Sequence, residues 1–159
     1  MPREIERKFL VSGEGWRAGS RGTPYRQGYL SAGADAGCTV RVRIGGGRAF
    51  LTVKGPAAGA ARDEYEYPIP LADAAEMLER LSAGGAVEKV RHRVPFAGHV
   101  WEVDVFDGEN APLVVAEVEL ERADAAVVLP PWVGAEVTDD ARYTNAALAR
   151  TPFSRWGRQ

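Results

Sequence analysis

The sequence predicts a mainly β protein of the α+β class, built as an eight-stranded antiparallel closed barrel with a few flanking helices. Most of its segments alternate apolar and polar residues, which is the pattern of strands with two different faces. Glycine and proline cut these segments into short lengths. The 159 residues show no internal repeat and no break in composition, so we expect residues 1–159 to form a single domain.

Eight segments carry the alternating pattern, a number of strands that closes a small antiparallel barrel. They are Glu4–Val11, Tyr25–Ser31, Cys38–Ile44, Arg48–Lys54, Asp63–Ile69, Ala86–Val94, His99–Phe106 and Leu113–Glu121. The run of glycines at 45–47 predicts a tight hairpin between the third and fourth strands, because glycine tolerates positive φ. The Ala-Gly pair at 97–98 predicts a second hairpin.

Two helices are predicted outside the strands. The first has Asp73 as its N-cap residue, Glu76 to complete a capping box, and the glycine pair at 84–85 to end it. Its predicted buried stripe contains Leu78, Leu81 and Met77 or Ala74. The second helix is shorter and is predicted near Thr144–Arg150.

Composition and charge exclude several classes of protein. The formal net charge is −2, which argues against a nucleic-acid partner. No apolar run approaches membrane-spanning length, and the charged N-terminal segment lacks the apolar region of a signal peptide. The one cysteine, Cys38, cannot form an internal disulfide, which fits a reducing compartment. We therefore expect a cytoplasmic protein with no membrane partner.

One face of the predicted barrel is almost entirely ionic, and the sign of the charge changes from strand to strand. The cationic positions are Arg41, Arg43, Lys54, Lys89, Arg91 and Arg93. The anionic positions are Glu64, Glu66, Glu102, Asp104, Glu117, Glu119 and Glu121. A solvated sheet face also carries these residue types, but it usually mixes both signs within one strand. The sorting by strand instead favours a charged interior.

The first strand combines both signs, because Glu4, Glu6 and Lys8 share one face. Ionised groups in a confined interior cost several kcal/mol each unless they are hydrated or compensated. Such an interior suits a polyanion that carries divalent cations, since arginine and lysine bind phosphate oxygens and carboxylates bind Mg²⁺ or Mn²⁺. We therefore expect Glu4 and Glu6 to bind a metal ion and Lys8 to bind phosphate.

Residues 4–11, EIERKFLV, match the ExExK signature of the CYTH family, the triphosphate tunnel metalloenzymes. Further similarity to the family follows in order along the chain, at residues 27–30, 41–43, 51–54, 64–67, 89–91, 101–106, 116–120 and 136–145. Ordered matches over nearly the whole chain are far more specific than the first signature alone. The chain therefore resembles this family from its first strand to its second helix.

The resemblance implies an eight-stranded tunnel that binds a triphosphate and one or two divalent metal ions, Mg²⁺ or Mn²⁺. The metal ligands that it implies are Glu4, Glu6, Glu117 and Glu119. The resemblance also implies that seven residues bind phosphate and take part in catalysis: Lys8, Arg41, Arg43, Lys54, Lys89, Arg91 and Arg142. Asp104 is also implied in catalysis and Tyr29 in substrate binding, whereas the roles of Glu64, Glu66 and Glu102 cannot be separated.

The chain looks most like the inorganic triphosphatases of this family, which implies metal-dependent hydrolysis of tripolyphosphate. The alternatives are an adenylate cyclase of class IV, a thiamine or nucleoside triphosphatase, and a non-catalytic polyphosphate-binding module. A cyclase needs an adenine pocket at a tunnel mouth, where Trp16, Tyr25 and Tyr29 are candidates. The expected partner is a small-molecule triphosphate. A second copy of the chain, in a homodimer, is a further candidate partner. We expect neither His92 nor Cys38 to act in catalysis.

Overall fold

The computed structural model describes residues 3–31 and 37–157. Its strands are β1 (Arg3–Val11), β2 (Gly22–Ser31), β3 (Thr39–Gly45), β4 (Arg48–Lys54), β5 (Ala61–Ile69), β6 (Val87–Phe96), β7 (His99–Phe106), β8 (Val114–Glu119) and β9 (Val133–Glu136). Its helices are α1 (Leu71–Arg80) and α2 (Asn145–Arg150). In the described part of the chain, no helix is long and apolar enough to cross a membrane.

The strands form one antiparallel sheet that closes on itself. The strand order is β5-β4-β3-β2-β6-β7-β8-β1, and residues 3–5 of β1 pair back with β5. The predicted eight-stranded closed barrel is therefore confirmed. Both predicted hairpins are present, with Gly46 and Gly47 at positive φ between β3 and β4, and Ala97 and Gly98 at positive φ between β6 and β7.

A ninth strand, β9, lies beside the C-terminal half of β1. The sequence does not predict it, because its four residues are too few to show an alternating pattern and include a glycine. Backbone hydrogen bonds at both ends hold it in place. Ser12 N donates to Trp132 O at 2.8 Å, and Val137 N donates to Lys8 O at 2.8 Å. One edge of β1 is thus shared between β5 and β9.

Helix α1 begins earlier than predicted, and the predicted capping box is wrong. Pro70 is the N-cap residue and no side chain caps the helix, so Asp73 lies inside the first turn. Its carboxylate there still interacts favourably with the positive end of the helix dipole. The helix ends before the glycines at 84–85, and Leu81, which was predicted in the buried stripe, is 60% exposed. The second helix is confirmed as α2, and Thr144 caps it.

Two apolar clusters cover the outside of the barrel wall. The first contains Phe9, Trp16, Trp101, Val118 and Trp132. The second packs Ala74 and Leu78 of α1 against Val42 and Ala49. The apolar rows of the strands therefore face outward against loops and a helix, which leaves the ionic rows to face inward.

One end of the barrel is apolar on the inside as well. Inward-facing positions there are occupied by Val87 of β6, Phe106 of β7 and Val115 of β8. They pack with Tyr29 and with Leu148 of α2, which is fully buried. This inner apolar cluster anchors α2 against the end of the barrel and so brings the N-terminal residues of α2 close to the charged interior.

Candidate active site

The inward-facing side chains enclose a cavity of about 590 Å³. Eleven of the predicted site residues line it: Glu4, Glu6, Lys8, Tyr29, Arg41, Arg43, Lys54, Lys89, Arg91, Glu117 and Glu119. The carboxylates of unassigned role, Glu64, Glu66 and Glu102, line it too. The structure therefore gathers residues from eight strands, which are far apart in the chain, around one space inside the barrel.

Cross-strand pairing explains why the charges are sorted by strand. Arg91 on β6 lies opposite Asp104 on β7, and Lys54 on β4 lies opposite Glu64 on β5. Oppositely charged residues that face each other across neighbouring strands stabilise a sheet. A cationic strand beside an anionic strand thus compensates charge within the barrel interior.

The most deeply buried charges surround Asp104, whose side chain is 1% exposed. Asp104 accepts hydrogen bonds from Arg91 at 2.7 and 2.9 Å, and its Oδ2 lies 2.8 Å from Nζ of Lys89. Burial alone would raise the pKa of Asp104, but these two cations hold it below its usual range. Burial lowers the pKa of Lys89 to about 8, although the charge of Asp104 opposes this shift. Lys89 therefore titrates closer to neutral pH than an ordinary lysine.

Lys8 is held between β8 and the turn that precedes α2. Its Nζ lies 3.5 Å from Oε1 of Glu117 and donates a hydrogen bond to the carbonyl oxygen of Tyr143 at 3.1 Å. Burial alone would lower the pKa of Lys8, but the charges of Glu117 and Glu6 raise it. Lys8 is therefore a stable cation in the cavity.

Arg41 and Arg43 have fewer acceptors than their guanidinium groups can use. Arg41 donates to Thr52 Oγ1 at 3.2 Å and to Glu66 Oε2 at 3.3 Å, and Arg43 lies 3.8 Å from the same carboxylate oxygen. Within the described residues, the buried Nε of each arginine has no acceptor. Burial lowers the pKa of Arg43, and the charges of Arg41 and Arg91 lower it further. An anion that enters the cavity would supply the acceptors that these arginines lack.

Carboxylates collect where β7, β8 and β1 run side by side. Glu6 lies opposite Glu119, and Glu102 lies opposite Glu117, so like charges face each other across the strands. Such pairs destabilise a sheet unless a cation lies between them. Burial raises the pKa of Glu6 well above its usual range, and the charges of Glu117 and Glu4 raise it further. A bound cation would relieve this repulsion.

Glu4 is ionised at the edge of the same group. Burial alone would raise its pKa, but the ammonium group of Lys54, 2.8 Å from Oε2, holds it well below the usual range. That oxygen accepts no well-aligned hydrogen bond from the described residues. No three His, Cys, Asp or Glu side chains of residues 3–31 and 37–157 lie close enough to form a compact metal site. The crowded carboxylates nevertheless fit the oxygen-donor chemistry of a hard divalent cation.

Two predicted site residues do not line the cavity. Asp104 lies behind Lys89 and Arg91 as their buried counter-ion. Arg142 is directed away from the cavity: its side chain is 65% exposed and lies 2.7 Å from Oδ2 of Asp140. Its guanidinium group also lies over the ring of Trp156, 4.9 Å from the centroid.

Of the three aromatic candidates for an adenine pocket, Tyr29 lines the cavity, whereas Trp16 and Tyr25 pack against other side chains. Trp16 is 2% exposed and packs outside the barrel, with its ring 4.9 Å from that of His92. The ring of Tyr25 lies beside the guanidinium groups of Arg43 and Arg91, at 5.3 and 5.5 Å. Trp16 is therefore no part of an adenine pocket, because its large apolar ring packs in the outer apolar cluster.

Sequence reasoning missed two residues that contact the predicted site. Gln27 donates a hydrogen bond to the hydroxyl oxygen of Tyr29 at 2.8 Å, and its position two residues before Tyr29 was an available signal. Asn145 accepts a hydrogen bond from Nζ of Lys89 at 3.0 Å. No strand pattern could indicate Asn145, since it lies on α2 and reaches the cavity only through the packing of that helix.

Comparison with known proteins identifies the family. Residues 2–147 match the CYTH domain. The chain belongs to the CYTH family. Because the tunnel enzymes of this family are metalloenzymes, membership implies that the CYTH protein described here depends on a divalent metal ion.

Curated CYTH relatives match this chain over nearly its whole length. It is 45% identical over 156 residues to an inorganic triphosphatase of Acetivibrio thermocellus, a match that covers 98% of this chain and 99% of the relative. It is 43% identical over 154 residues to an inorganic triphosphatase of Nitrosomonas europaea, with 92% and 96% covered. A crystal structure of an inorganic triphosphatase superposes with a TM-score of 0.67 at 40% identity, with 92% and 97% covered.

A more distant structural relative shares the fold. A putative adenylate cyclase from Bacillus halodurans superposes with a TM-score of 0.58 at 18% identity. The match covers 77% of this chain and 84% of that protein. At this identity, the likeness bears on the barrel architecture and not on the reaction.

Proposed function

We propose that this CYTH protein is a divalent-metal-dependent triphosphatase that hydrolyses inorganic tripolyphosphate inside its barrel. One observation carries the proposal: a single cavity brings under-paired cations, which suit phosphate, next to crowded carboxylates, which suit a metal ion. The identity of 45% to an inorganic triphosphatase over almost the full length supports the same reaction.

Phosphate binding is assigned to the cations of the cavity and to one hydroxyl group. In this proposal the substrate contacts are Lys8, Arg41, Arg43, Lys54, Lys89, Arg91 and Tyr29. The arginines provide paired donors for the oxygens of one phosphate, and the lysines act as point charges. Because Tyr29 accepts a hydrogen bond from Gln27, its own hydroxyl proton is available to a phosphate oxygen.

Asp104 and Arg142 take different parts in the same proposal. Asp104 acts through Lys89 and Arg91, whose positions it holds as a shared counter-ion, rather than by touching the substrate. Arg142 binds phosphate only after exchanging its carboxylate partner, Asp140, for a phosphate group. Its exposed position leaves room for that change of conformation.

The metal site is assigned to Glu4, Glu6, Glu117 and Glu119, and the ion to Mg²⁺ or Mn²⁺. These hard cations prefer oxygen ligands and commonly bridge carboxylates to substrate phosphates. When bound, the ion supplies positive charge to phosphate oxygens during the reaction. The carboxylates hold it at the side of the cavity where like charges now face each other.

The reaction is a hydrolysis at phosphorus. An oxygen of water bonds to the terminal phosphorus, the bond from that phosphorus to its bridging oxygen breaks, and pyrophosphate leaves. The products are phosphate and pyrophosphate, and the proton of the attacking water passes to solvent or to a product oxygen. Negative charge spreads over the transferred phosphoryl group in the transition state, where the fixed lysines and arginines stabilise it.

A phosphate-release assay tests the proposal. Tripolyphosphate, ATP and thiamine triphosphate are each supplied with Mg²⁺ or Mn²⁺, and cyclic AMP is measured in the ATP sample. We expect tripolyphosphate to be cleaved much faster than the other two. Cyclic AMP as the main product would replace the proposal with a cyclase, and binding without turnover would replace it with a polyphosphate-binding module.

A matched pair of variants excludes a contaminating phosphatase. Arg41→Ala removes a cavity cation, whereas Arg155→Ala removes an arginine whose side chain is 63% exposed and pairs only with Glu109 in the described structure. We expect Arg41→Ala to lose most of the activity and Arg155→Ala to keep it. Equal activity of the two preparations would show that the phosphate comes from another protein.

The proposal also covers the domain organisation, the partner and the cellular location of the enzyme. We propose a single domain over residues 1–159 that acts on a small-molecule triphosphate in the cytoplasm. The net charge of −2 and the single cysteine, Cys38, are the observations that favour this setting over one with a nucleic-acid or membrane partner.

A further inference from the structure

Lys89 is bound from two sides inside the barrel. Its Nζ lies 2.8 Å from Oδ2 of Asp104 and donates a hydrogen bond to Oδ1 of Asn145 at 3.0 Å. An ammonium group has three N–H donors. Asp104 and Asn145 account for two of them, and Lys89 also lines the cavity. The third donor can therefore meet a ligand in the cavity.

The turn before α2 is tied to the cavity at two points. The carbonyl oxygen of Tyr143 accepts a hydrogen bond from Lys8 at 3.1 Å, and Asn145, two residues later, accepts the one from Lys89. The side chain of Asn145 is not needed to cap the helix, since Thr144 does so by accepting from Ala147 N at 3.1 Å. The turn and the first residue of α2 thus contact two of the three lysines in the chain.

The position of the turn is fixed from behind. Leu148, one turn further along α2, is fully buried in the inner apolar cluster. Beyond the helix, Asn110 accepts a hydrogen bond from the backbone N of Phe153 at 2.8 Å. The carboxamide of Asn145 is therefore presented to Lys89 by a packed element rather than by a loose loop.

We propose that Asn145 is a positioning residue that holds the ammonium group of Lys89 so that its remaining N–H donor meets a phosphate oxygen of the triphosphate. This role rests on the proposed function of the cavity. A neutral acceptor suits it, because Asn145 orients the lysine without cancelling its charge. A second carboxylate in its place would add negative charge where a polyanion must bind.

The charges around Lys89 support a neutral partner. The ionised groups that face it are Asp104, Arg91 and Glu117, and Asp104 is already shared with Arg91. Burial lowers the pKa of Lys89 to about 8 in spite of Asp104, so the ammonium group is not over-compensated. It can therefore still gain from a phosphate oxygen.

Two variants of Asn145 and one matched control test the role. Asn145→Ala removes the acceptor, and we expect kcat/KM for tripolyphosphate to fall about tenfold or more, as for a lost hydrogen bond to a charged group. Asn145→Asp keeps the acceptor but adds a charge, so we expect kcat nearer to that of the unchanged protein with a raised KM. Asn110→Ala loosens the same C-terminal segment but keeps the acceptor of Lys89, so it should lower Tm with a much smaller fall in kcat/KM than Asn145→Ala.

A second readout does not depend on turnover. The chain has three lysines, so carbon-13 labelling of lysine gives three side-chain signals for NMR titration, and Lys89→Arg identifies the one from Lys89. We expect the pKa of Lys89 to fall in Asn145→Ala and to rise in Asn145→Asp. Asn110→Ala should shift it much less, since the acceptor group of Asn145 is still present.

The outcomes separate this role from the proposed function. Unchanged kcat/KM and an unmoved Lys89 pKa in both Asn145 variants would overturn the role of Asn145, whatever the protein hydrolyses. An equal loss of kcat/KM in Asn145→Ala and Asn110→Ala, without a shift in the Lys89 titration, would also overturn it in favour of a packing role. If the unchanged protein does not cleave tripolyphosphate, the proposed function fails, and with it the phosphate contact assigned to Lys89.

Discussion

Lys89 Nζ lies 2.8 Å from Asp104 Oδ2, and each of the two side chains is only 1% exposed. Arg91 donates to both oxygens of the same carboxylate, at 2.7 and 2.9 Å. A buried ion pair adds little net stability when it is complete, but removing one partner leaves an uncompensated charge in the interior. Two cations depend on Asp104, so this carboxylate is the most sensitive charged position of the barrel.

Asp104→Asn should destabilise the protein strongly. Removing the carboxylate leaves both Lys89 and Arg91 without their closest counter-ion, and the free energy of unfolding should fall by about 3–5 kcal/mol. Urea unfolding followed by circular dichroism measures the change. Glu109→Gln is the control, because it breaks an exposed pair with Arg155 and should have little effect. Equal stability of the two variants would contradict the role of Asp104.

The pH dependence of turnover should reflect the lowered pKa of Lys89. Below a pKa of about 8 the side chain is charged and attracts phosphate, and above it the charge is lost. We therefore expect kcat/KM of the free enzyme to fall as the pH rises through about 8. Lys89→Arg keeps its charge at higher pH, so this decline should move to more alkaline pH.

A matched comparison separates Lys89 from the titration of the substrate. Tripolyphosphate changes its own charge identically in both assays, so only the difference between the protein and Lys89→Arg reports on the lysine. The same decline in both proteins would show that another group is responsible. The measurement is the pH dependence of kcat/KM for both proteins at constant ionic strength.

Glu6→Gln should separate metal binding from folding. Burial and the charges of Glu117 and Glu4 raise the pKa of Glu6, so a neutral glutamine of similar size relieves repulsion in the metal-free protein. We expect Tm without metal to be unchanged or higher, whereas turnover should fall by at least about a hundredfold. Chelation of the metal should abolish the turnover of the unchanged protein, and added Mg²⁺ should restore it.

Thermal melts give a direct readout of the same site. A ligand that binds only the folded protein raises its stability, by about 2.7 kcal/mol at one hundred times its Kd. Mg²⁺ should therefore raise Tm of the unchanged protein and of Glu79→Gln, an exposed position on α1, but not of Glu6→Gln. An equal rise in all three would place the metal elsewhere.

Gly45→Ala should disturb two arginines of the cavity, Arg43 and Arg91, through Tyr25. Gly45 lies opposite Tyr25 on the neighbouring strand, and a Cβ at this position would overlap the tyrosine ring. Displacing that ring removes its contacts with the guanidinium groups of Arg43 and Arg91, at 5.3 and 5.5 Å. We expect a loss of about 1–3 kcal/mol in stability from overpacking and a higher KM.

Gly15→Ala is the matched control for that experiment. A Cβ there would lie 3.6 Å from Cδ1 of Trp132, which is an ordinary contact. Its stability and its KM should therefore stay close to those of the unchanged protein. If Gly45→Ala behaves in the same way, the ring of Tyr25 does not constrain the arginines.

Much of the fold could be predicted from the sequence, because strand alternation and glycine hairpins are local signals. The closure of the barrel depends instead on pairing between residues 3–5 and 61–63, which no local pattern encodes. The ninth strand likewise depends on distant partners, through its backbone pairing with β1 and an ion pair between Glu136 and Arg7. The cap of α1 was misassigned because Asp73 satisfies the capping pattern, while the chain turns into the helix at Pro70.

The lining of the cavity could also be predicted, since the side chains of a strand alternate between its two faces. Alternation does not show which charged residue faces the cavity directly and which lies behind its neighbours, as Asp104 does. It also says nothing of side chains outside strands. Asn145 reaches Lys89, and Arg142 lies outside, because of how the segment around α2 packs against the barrel.

The placement of the lysines has a practical consequence for labelling. Lys8, Lys54 and Lys89 are the only lysines in the chain, and all three line the cavity. Amine-reactive dyes and cross-linkers, which on most proteins modify the exterior, can here reach a lysine side chain only by entering the barrel. Modification of any lysine by such reagents would therefore block the cavity, and an occupied cavity would protect every lysine from them at once.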